Sequence, residues 1–256
     1  MDIVHIVPDG EYERYEELTL MKDRYEKDAD LYQQAYIREF GELITESFQL
    51  KIECIALKKE IALYVKAKNA GEKVNVEDVR KFLETQMAGY YNELKSMIEA
   101  KDAAKKSRPI SNYEAQQIKK LYRKLARLLH PDISPLTRDD PILADYFNRI
   151  IRAYKRNDLK ELRKLEVLVD VELEAKGIKG YHEVIPDAAA RIEELERDID
   201  MIIHSEPYTY KDLLEDDAAV AGKKDELLRE IKEYRNYKKE LTEKRDELGK
   251  ECGYAG

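Results

Sequence analysis

Apolar residues recur at helical spacing along most of this chain. From about residue 12 to residue 68 they repeat every three or four positions, a period typical of an amphipathic helix. The stretch ends at Asn69-Ala70-Gly71, where glycine can adopt the left-handed conformation that closes a helix. Asn75 is a candidate N-cap for a second helix that runs to about Lys105. Two long helices joined by so short a loop predict an antiparallel hairpin.

A third helix begins after a proline break, at Ser111. Ser111 and Glu114 have the spacing of a capping box, and Pro131 ends the helix because its ring cannot continue it. At about 100° per residue, apolar and basic residues separate onto opposite sides of this helix. The apolar side holds Ile118, Leu121, Tyr122, Leu125 and Leu129, and the other side, here named the basic face, holds Lys119, Lys120, Arg123, Lys124 and Arg127.

A fourth helix is predicted after the following loop. Asp140 can cap its first turn, and Pro141 suits the first helical position because its missing N–H is not needed there. The apolar pattern continues to about Ala175, so one long helix is expected, followed by a linker over residues 177–186. Its apolar positions are Phe147, Ile150, Ile151, Tyr154, Leu159, Leu162 and Leu165.

The last third of the chain has two further apolar patterns, separated by a loop around Pro207. The second keeps near-heptad spacing from Leu227 to Leu248, although Lys238 and Arg245 occupy positions that a coiled-coil seam normally fills with apolar residues. These patterns predict a second helical hairpin. The first pattern consists of Ile192, Leu195, Ile199 and Ile202.

The predicted architecture is therefore all-α, with long coiled-coil-like hairpins at both ends. A charged fraction of 39% with only ten glycines and seven prolines favours long amphipathic helices. The expected domains are an N-terminal hairpin at 1–108, a central helical domain at 109–176 and a C-terminal hairpin at 177–256.

Charge and cysteine content exclude several functional classes. A net charge of −8 argues against nucleic-acid and anionic-membrane binding, since phosphate repels such a protein unless positive charge is concentrated locally. Cys54 and Cys252 cannot form a disulfide framework or a four-ligand zinc site. The sequence shows no secretory leader and no run of ~18 apolar residues. We therefore expect a cytoplasmic protein without metal or cofactor, and without a phosphate loop or nucleophile motif of its own.

One tripeptide stands out at the end of the basic face, His130-Pro131-Asp132. Tyr122-Arg123-Lys124-Leu125-Ala126 precedes it, and the F-N-R-I-I-R-A-Y segment at 147–154 follows it. Together these segments resemble helix II, the His-Pro-Asp loop and helix III of a J-domain. DnaJ-type co-chaperones use this module to stimulate ATP hydrolysis by a DnaK-type heat-shock chaperone. The resemblance covers about residues 111–165.

The resemblance implies a J-like domain, an antiparallel helix pair joined by the His-Pro-Asp loop, in a non-enzymatic co-chaperone without a cofactor. It implies that His130, Pro131 and Asp132 contact the chaperone, and that the basic face meets an acidic surface of that partner. The flanking helical arms would then bind a client or adaptor protein. The implied core residues are Tyr122, Leu125, Ala126, Phe147, Ile150, Ala153 and Tyr154.

The chain departs from the J-domain pattern at two places. Leu128 and Leu129 stand where the family commonly has a basic and an aromatic residue. The segment from Gly89 to Leu94 is faintly similar to helix I but lies too far upstream of Tyr122, so we expect the second N-terminal helix to take over its packing role. A first alternative is a scaffold that has lost chaperone coupling. A second is nucleic-acid binding through the basic helix, which the net charge disfavours.

Overall fold

The computed structural model describes residues 10–106, 111–178 and 188–251. Its regular elements there are all helical, which confirms the all-α prediction. Most of the predicted linker at 177–186, and Cys252, lie outside the described residues. The helices are α1 Glu11–Ala70, α2 Val76–Lys106, α3 Asn112–Leu129, α4 Pro141–Lys155, α5 Leu159–Ala175, α6 Ala188–Ile203, α7 Tyr210–Leu214 and α8 Asp217–Glu251, with a 3₁₀ turn at Pro135–Thr137.

The chain forms two compact units, and each unit is made of two separate stretches of sequence. The 60-residue helix α1 contributes its first part to one unit and the remainder to the other. The sequence pattern instead predicts three consecutive segments, because periodicity does not show where along a helix its packing partners change. Unit 1 comprises residues 1–33 and 108–210, and unit 2 comprises residues 34–107 and 211–256.

In unit 1, α3 and α4 pack antiparallel. The rings of Tyr122 and Tyr154 stack with centroids 3.8 Å apart, and the ring of His130 contacts that of Phe147 edge to face at 5.0 Å. α5 packs against both helices. The buried cluster therefore draws on three helices, with Leu20 of α1 added to it.

The predicted single helix from Pro141 to Ala175 is wrong, because the chain turns back between α4 and α5. Asn157 adopts a φ of 56°, a left-handed conformation that asparagine tolerates better than most residues. Asp158 then caps α5, since its Oδ1 accepts the Glu161 N–H at 2.9 Å. This turn allows α5 to bury Leu162, Leu165 and Val169 in the core of unit 1.

The two C-terminal helices do not belong to one hairpin as predicted. α6 lies in unit 1, where Leu195 and Ile199 pack against Tyr15 and Leu18 of α1. α8 lies in unit 2, where its apolar positions pack against the second part of α1. Amphipathic stripes look alike whichever partner covers them, so the sequence could not identify α1 as the common partner.

In unit 2, α2 runs antiparallel to the second part of α1, as the sequence predicted. Arg38 of α1 donates to the Ala104 carbonyl at 3.3 Å, whereas Lys59, nearer the end of α1, donates to Gln86 at 3.3 Å. The charged seam positions of α8 face carboxylates on α1. These ion pairs are Lys238 with Glu53 at 2.7 Å and Arg245 with Glu60 at 3.4 Å.

Candidate functional site around His130, Pro131 and Asp132

A tight turn follows α3 directly. His130 is the C-cap residue, and its N–H donates to the Ala126 carbonyl at 2.7 Å. The His130 carbonyl in turn accepts the N–H groups of Ile133 at 3.0 Å and Ser134 at 2.7 Å. Pro131 has no N–H and a fixed φ, so it fits the second residue of such a turn, after His130. The backbone of the tripeptide is thus held by hydrogen bonds on both sides.

The imidazole of His130 points into unit 1, and the side chain is only 8% exposed. Its Nδ1 accepts the backbone N–H of Asp132 at 3.1 Å, and its Nε2 lies 3.5 Å from Oδ2 of Asp23. Because Nδ1 accepts a hydrogen bond, the proton of the neutral ring resides on Nε2 and faces Asp23. The His130 ring therefore stabilises the turn from its buried side, through the Asp132 N–H.

The Asp132 side chain lies at the surface, with its Oδ2 3.9 Å from Nδ1 of His130. Its side chain is 62% exposed, and Pro131 is half-buried. Arg138 donates from Nε to the Pro131 carbonyl at 3.2 Å, which joins the far end of the loop to the turn. Of the three residues expected to contact a partner, the structure thus places Pro131 and Asp132 at the surface and His130 behind them.

Asp23 of α1 is part of this site, and sequence reasoning missed it. Its Oδ2 accepts the Tyr122 hydroxyl at 2.6 Å and also faces His130. Burial, and then the Asp23 charge, raise the pKa of Tyr122, so the phenol stays protonated and donates. No local signal could have identified Asp23, because it is one of many acidic residues on α1 and lies 99 positions before Tyr122.

The first part of α1 takes the packing position on α3 that the sequence analysis assigned to α2. Tyr12 donates its hydroxyl to the Ile133 carbonyl at 3.2 Å, and Glu16 pairs with Arg127 at 2.5 Å. α2 belongs to unit 2, so the expectation for α2 is wrong. Its proximity in sequence suggested the role, whereas α1 supplies both the polar partners and the apolar side chain Leu20.

A buried lysine lies behind the stacked tyrosines. Lys27 is 7% exposed, and its Nζ sits 3.8 Å from the centroid of the Tyr154 ring. Burial lowers the pKa of Lys27 to about 8, although the ring face favours the charged ammonium. Burial also raises the pKa of Tyr154. The stacked pair of Tyr122 and Tyr154 therefore contacts a lysine at the Tyr154 ring and a carboxylate at the Tyr122 hydroxyl.

The five residues of the basic face are all exposed, but they differ in their partners. Lys124 pairs with Glu166 at 3.0 Å and Asp170 at 3.3 Å on α5, and the hydrogen bond to Glu166 raises the pKa of Lys124. Arg127 pairs with α1. The other three make no ion pair or hydrogen bond within the described part of the chain, and they are Lys119, Lys120 and Arg123.

The seven residues that the resemblance implies as core are all buried in one cluster, each 5% exposed or less. Leu129 is fully buried beside them, and Leu128 is half-buried against the cluster. The two leucines that depart from the J-domain pattern therefore serve packing. The seven are Tyr122, Leu125, Ala126, Phe147, Ile150, Ala153 and Tyr154.

Comparisons with known proteins add no family assignment. No protein-family model, curated protein or solved structure matches the chain significantly. Within the described ranges, none of the helices is long and apolar enough to cross a membrane. The same residues contain no group of three or more histidine, cysteine, aspartate or glutamate side chains placed to hold a metal ion.

Proposed function

We propose that this protein is a J-domain-type co-chaperone, which binds a DnaK-type heat-shock chaperone and stimulates its ATP hydrolysis. The observation that carries the proposal is the turn at the end of α3, where the buried His130 ring holds the N–H of the outward-facing Asp132. The J-like domain then corresponds to residues 109–176 supported by the first part of α1. The protein has no catalytic role or cofactor of its own, and it acts in the cytoplasm.

Two parts of the surface would contact the chaperone, and each has a different task. The exposed Asp132 carboxylate accepts hydrogen bonds from an arginine or from backbone amides of the partner. The unpaired cations Lys119, Lys120 and Arg123 attract an acidic partner surface and raise the rate of encounter. His130 acts through Asp132, because its ring fixes the turn while remaining inside unit 1.

The decisive test is steady-state ATP turnover by a DnaK-type chaperone with wild type and Asp132→Asn. A charge-assisted hydrogen bond contributes about 1.5–3 kcal/mol, so we expect the concentration for half-maximal stimulation to rise about tenfold or more. Asp139→Asn is the control, because Asp139 is an exposed carboxylate of the same loop. His130→Gln is less selective, since it also removes the ring that packs on Phe147. Equal stimulation by wild type and Asp132→Asn would contradict the proposal.

The unpaired cations give a second prediction. The triple variant Lys119→Glu, Lys120→Glu, Arg123→Glu is expected to associate more slowly with the chaperone, and stimulation by wild type should weaken as salt rises. Stopped-flow association rates at several ionic strengths measure both effects. Lys160→Glu with Arg163→Glu is the control, because it reverses exposed charges on α5 of the same unit. A similar loss in the control pair would indicate a general charge effect.

A structural scaffold is the second candidate, and one observation favours it. α1 contacts the residues next to the tripeptide, through Tyr12 on the Ile133 carbonyl and Glu16 on Arg127. In a scaffold these contacts only brace the helices of unit 1, and the chaperone neither binds nor responds. Pulldown of the chaperone by the full-length protein separates the two functions. Helical arms that bind a client or adaptor protein are compatible with either.

A further inference from the structure

A small pocket of about 100 Å³ lies within unit 1, where α1, α3 and α4 meet. The stacked Tyr122 and Tyr154 form part of its wall. Three cationic side chains also line it, and Glu17 is the one carboxylate among its lining residues. Glu17 already lies 3.7 Å from Arg14. The three cations are Arg24, Lys119 and Arg123.

Arg24 has a buried donor without an acceptor. Its Nε is shielded from solvent and makes no hydrogen bond to any described residue. The guanidinium carbon lies 4.6 Å from the centroid of the Tyr25 ring, so the group is packed in place. Buried N–H donors are nearly always paired, and an exception calls for an explanation. Arg24 lines the adjoining pocket, and a small local movement that opened Nε to it would let a ligand oxygen supply the missing acceptor.

The charged side chains that line the pocket favour an anionic ligand. Lys119 and Arg123 have no ion pair with the described residues, so three cations face one carboxylate. A phosphate group carries about −1.5 to −2 at neutral pH, which matches that excess better than the single charge of a carboxylate. Arginine also presents parallel N–H donors that suit phosphate oxygens.

We propose that this pocket binds one phosphate group. The group lies against the Arg24 guanidinium, with Lys119 and Arg123 closing over it. The proposal does not depend on chaperone binding. Because Lys119 and Arg123 also belong to the basic face, a bound phosphate would neutralise two of its three unpaired cations.

The test is a titration of the ¹⁵N-labelled full-length protein with inorganic phosphate, at constant ionic strength maintained by sodium chloride. We expect a saturable shift of the Arg24 Nε–H signal in the NMR spectrum, and no saturable shift with sodium acetate. A parallel titration with phosphoserine identifies the source of the group. Binding of phosphoserine alone would indicate a phosphate carried on a protein side chain, and binding of both would indicate a site open to free phosphate.

Variants locate the site. Arg24→Gln is expected to weaken phosphate binding at least tenfold, as measured by calorimetry. Lys119→Gln with Arg123→Gln is expected to do the same, and these exposed residues can change without affecting the core. Arg163→Gln on α5 should bind like wild type. Absence of saturable binding of both inorganic phosphate and phosphoserine, equal binding of acetate, or unchanged affinity in the Lys119 and Arg123 double variant would overturn the proposal.

Discussion

Leu165→Ala is expected to lower the free energy of unfolding of unit 1 by about 2–5 kcal/mol, the usual cost of a cavity in a packed core. Leu165 is fully buried, in the cluster that α5 shares with α3 and α4. Leu165 is buried because the chain reverses at Asn157 and Asp158, which brings α5 back against α3 and α4. Its truncation therefore leaves a cavity among three helices. Denaturation by urea, followed by circular dichroism, measures it.

Val167→Ala is the matched control on the same helix. Val167 is 62% exposed, and surface substitutions usually change stability by no more than about 0.5 kcal/mol. If α5 instead continued α4 outward, Leu165 would lose most of its contacts. The two variants would then unfold at similar urea concentrations, and the described packing of α5 would be contradicted.

Asp23→Ala is expected to destabilise unit 1 by roughly 2–4 kcal/mol, because it leaves the buried Tyr122 hydroxyl without its acceptor and removes the carboxylate that faces His130. Asp30→Ala is the control, since Asp30 is an exposed aspartate on the same helix and its replacement brings the same gain in helix propensity. The ion pair of Asp30 with Lys155 spans 3.8 Å at the surface, so its loss costs little.

A double-mutant cycle separates the hydrogen bond from other effects. Asp23→Ala and Tyr122→Phe are expected to show a coupling free energy of about 1–3 kcal/mol. The ¹⁵N shift of His130 Nε2 gives an independent readout, because its N–H faces the Asp23 carboxylate in wild type and loses that acceptor in Asp23→Ala, while Nδ1 still accepts the Asp132 N–H. Additive effects in the cycle and an unchanged Nε2 shift would together show that Asp23 does not orient the ring.

Local signals in the sequence predicted local structure well. The capping box forms as expected, with the Ser111 hydroxyl accepting the Glu114 N–H and the Glu114 carboxylate accepting the Ser111 N–H, both at 3.2 Å. Asp140 caps α4. The amphipathic face of α3 also predicted its buried residues, because one helix of known period determines which side chains share a side. Each of these features depends on residues within about one or two turns of each other.

Features that depend on distant residues were not predictable. The break at Asn157 lacks the glycine or proline that usually marks a turn, and its left-handed backbone is favourable only because α5 gains a buried face. The helix that covers α3 was equally unpredictable from the sequence. Leu20 and Asp23 belong to a periodic stretch that runs unbroken to Ala70. Periodicity identifies a buried side of a helix but not the helix that covers it.

The division of α1 between the two units has a consequence for how this protein could evolve. Recombination commonly transfers a domain as one contiguous stretch of sequence. Residues 109–176 are such a stretch, and they contain the turn. If that stretch were moved alone into another gene, it would lack Asp23, Tyr12 and Glu16, which hold the turn and the end of α3. The first part of α1 and the turn therefore have to be inherited together, although about a hundred residues of sequence separate them.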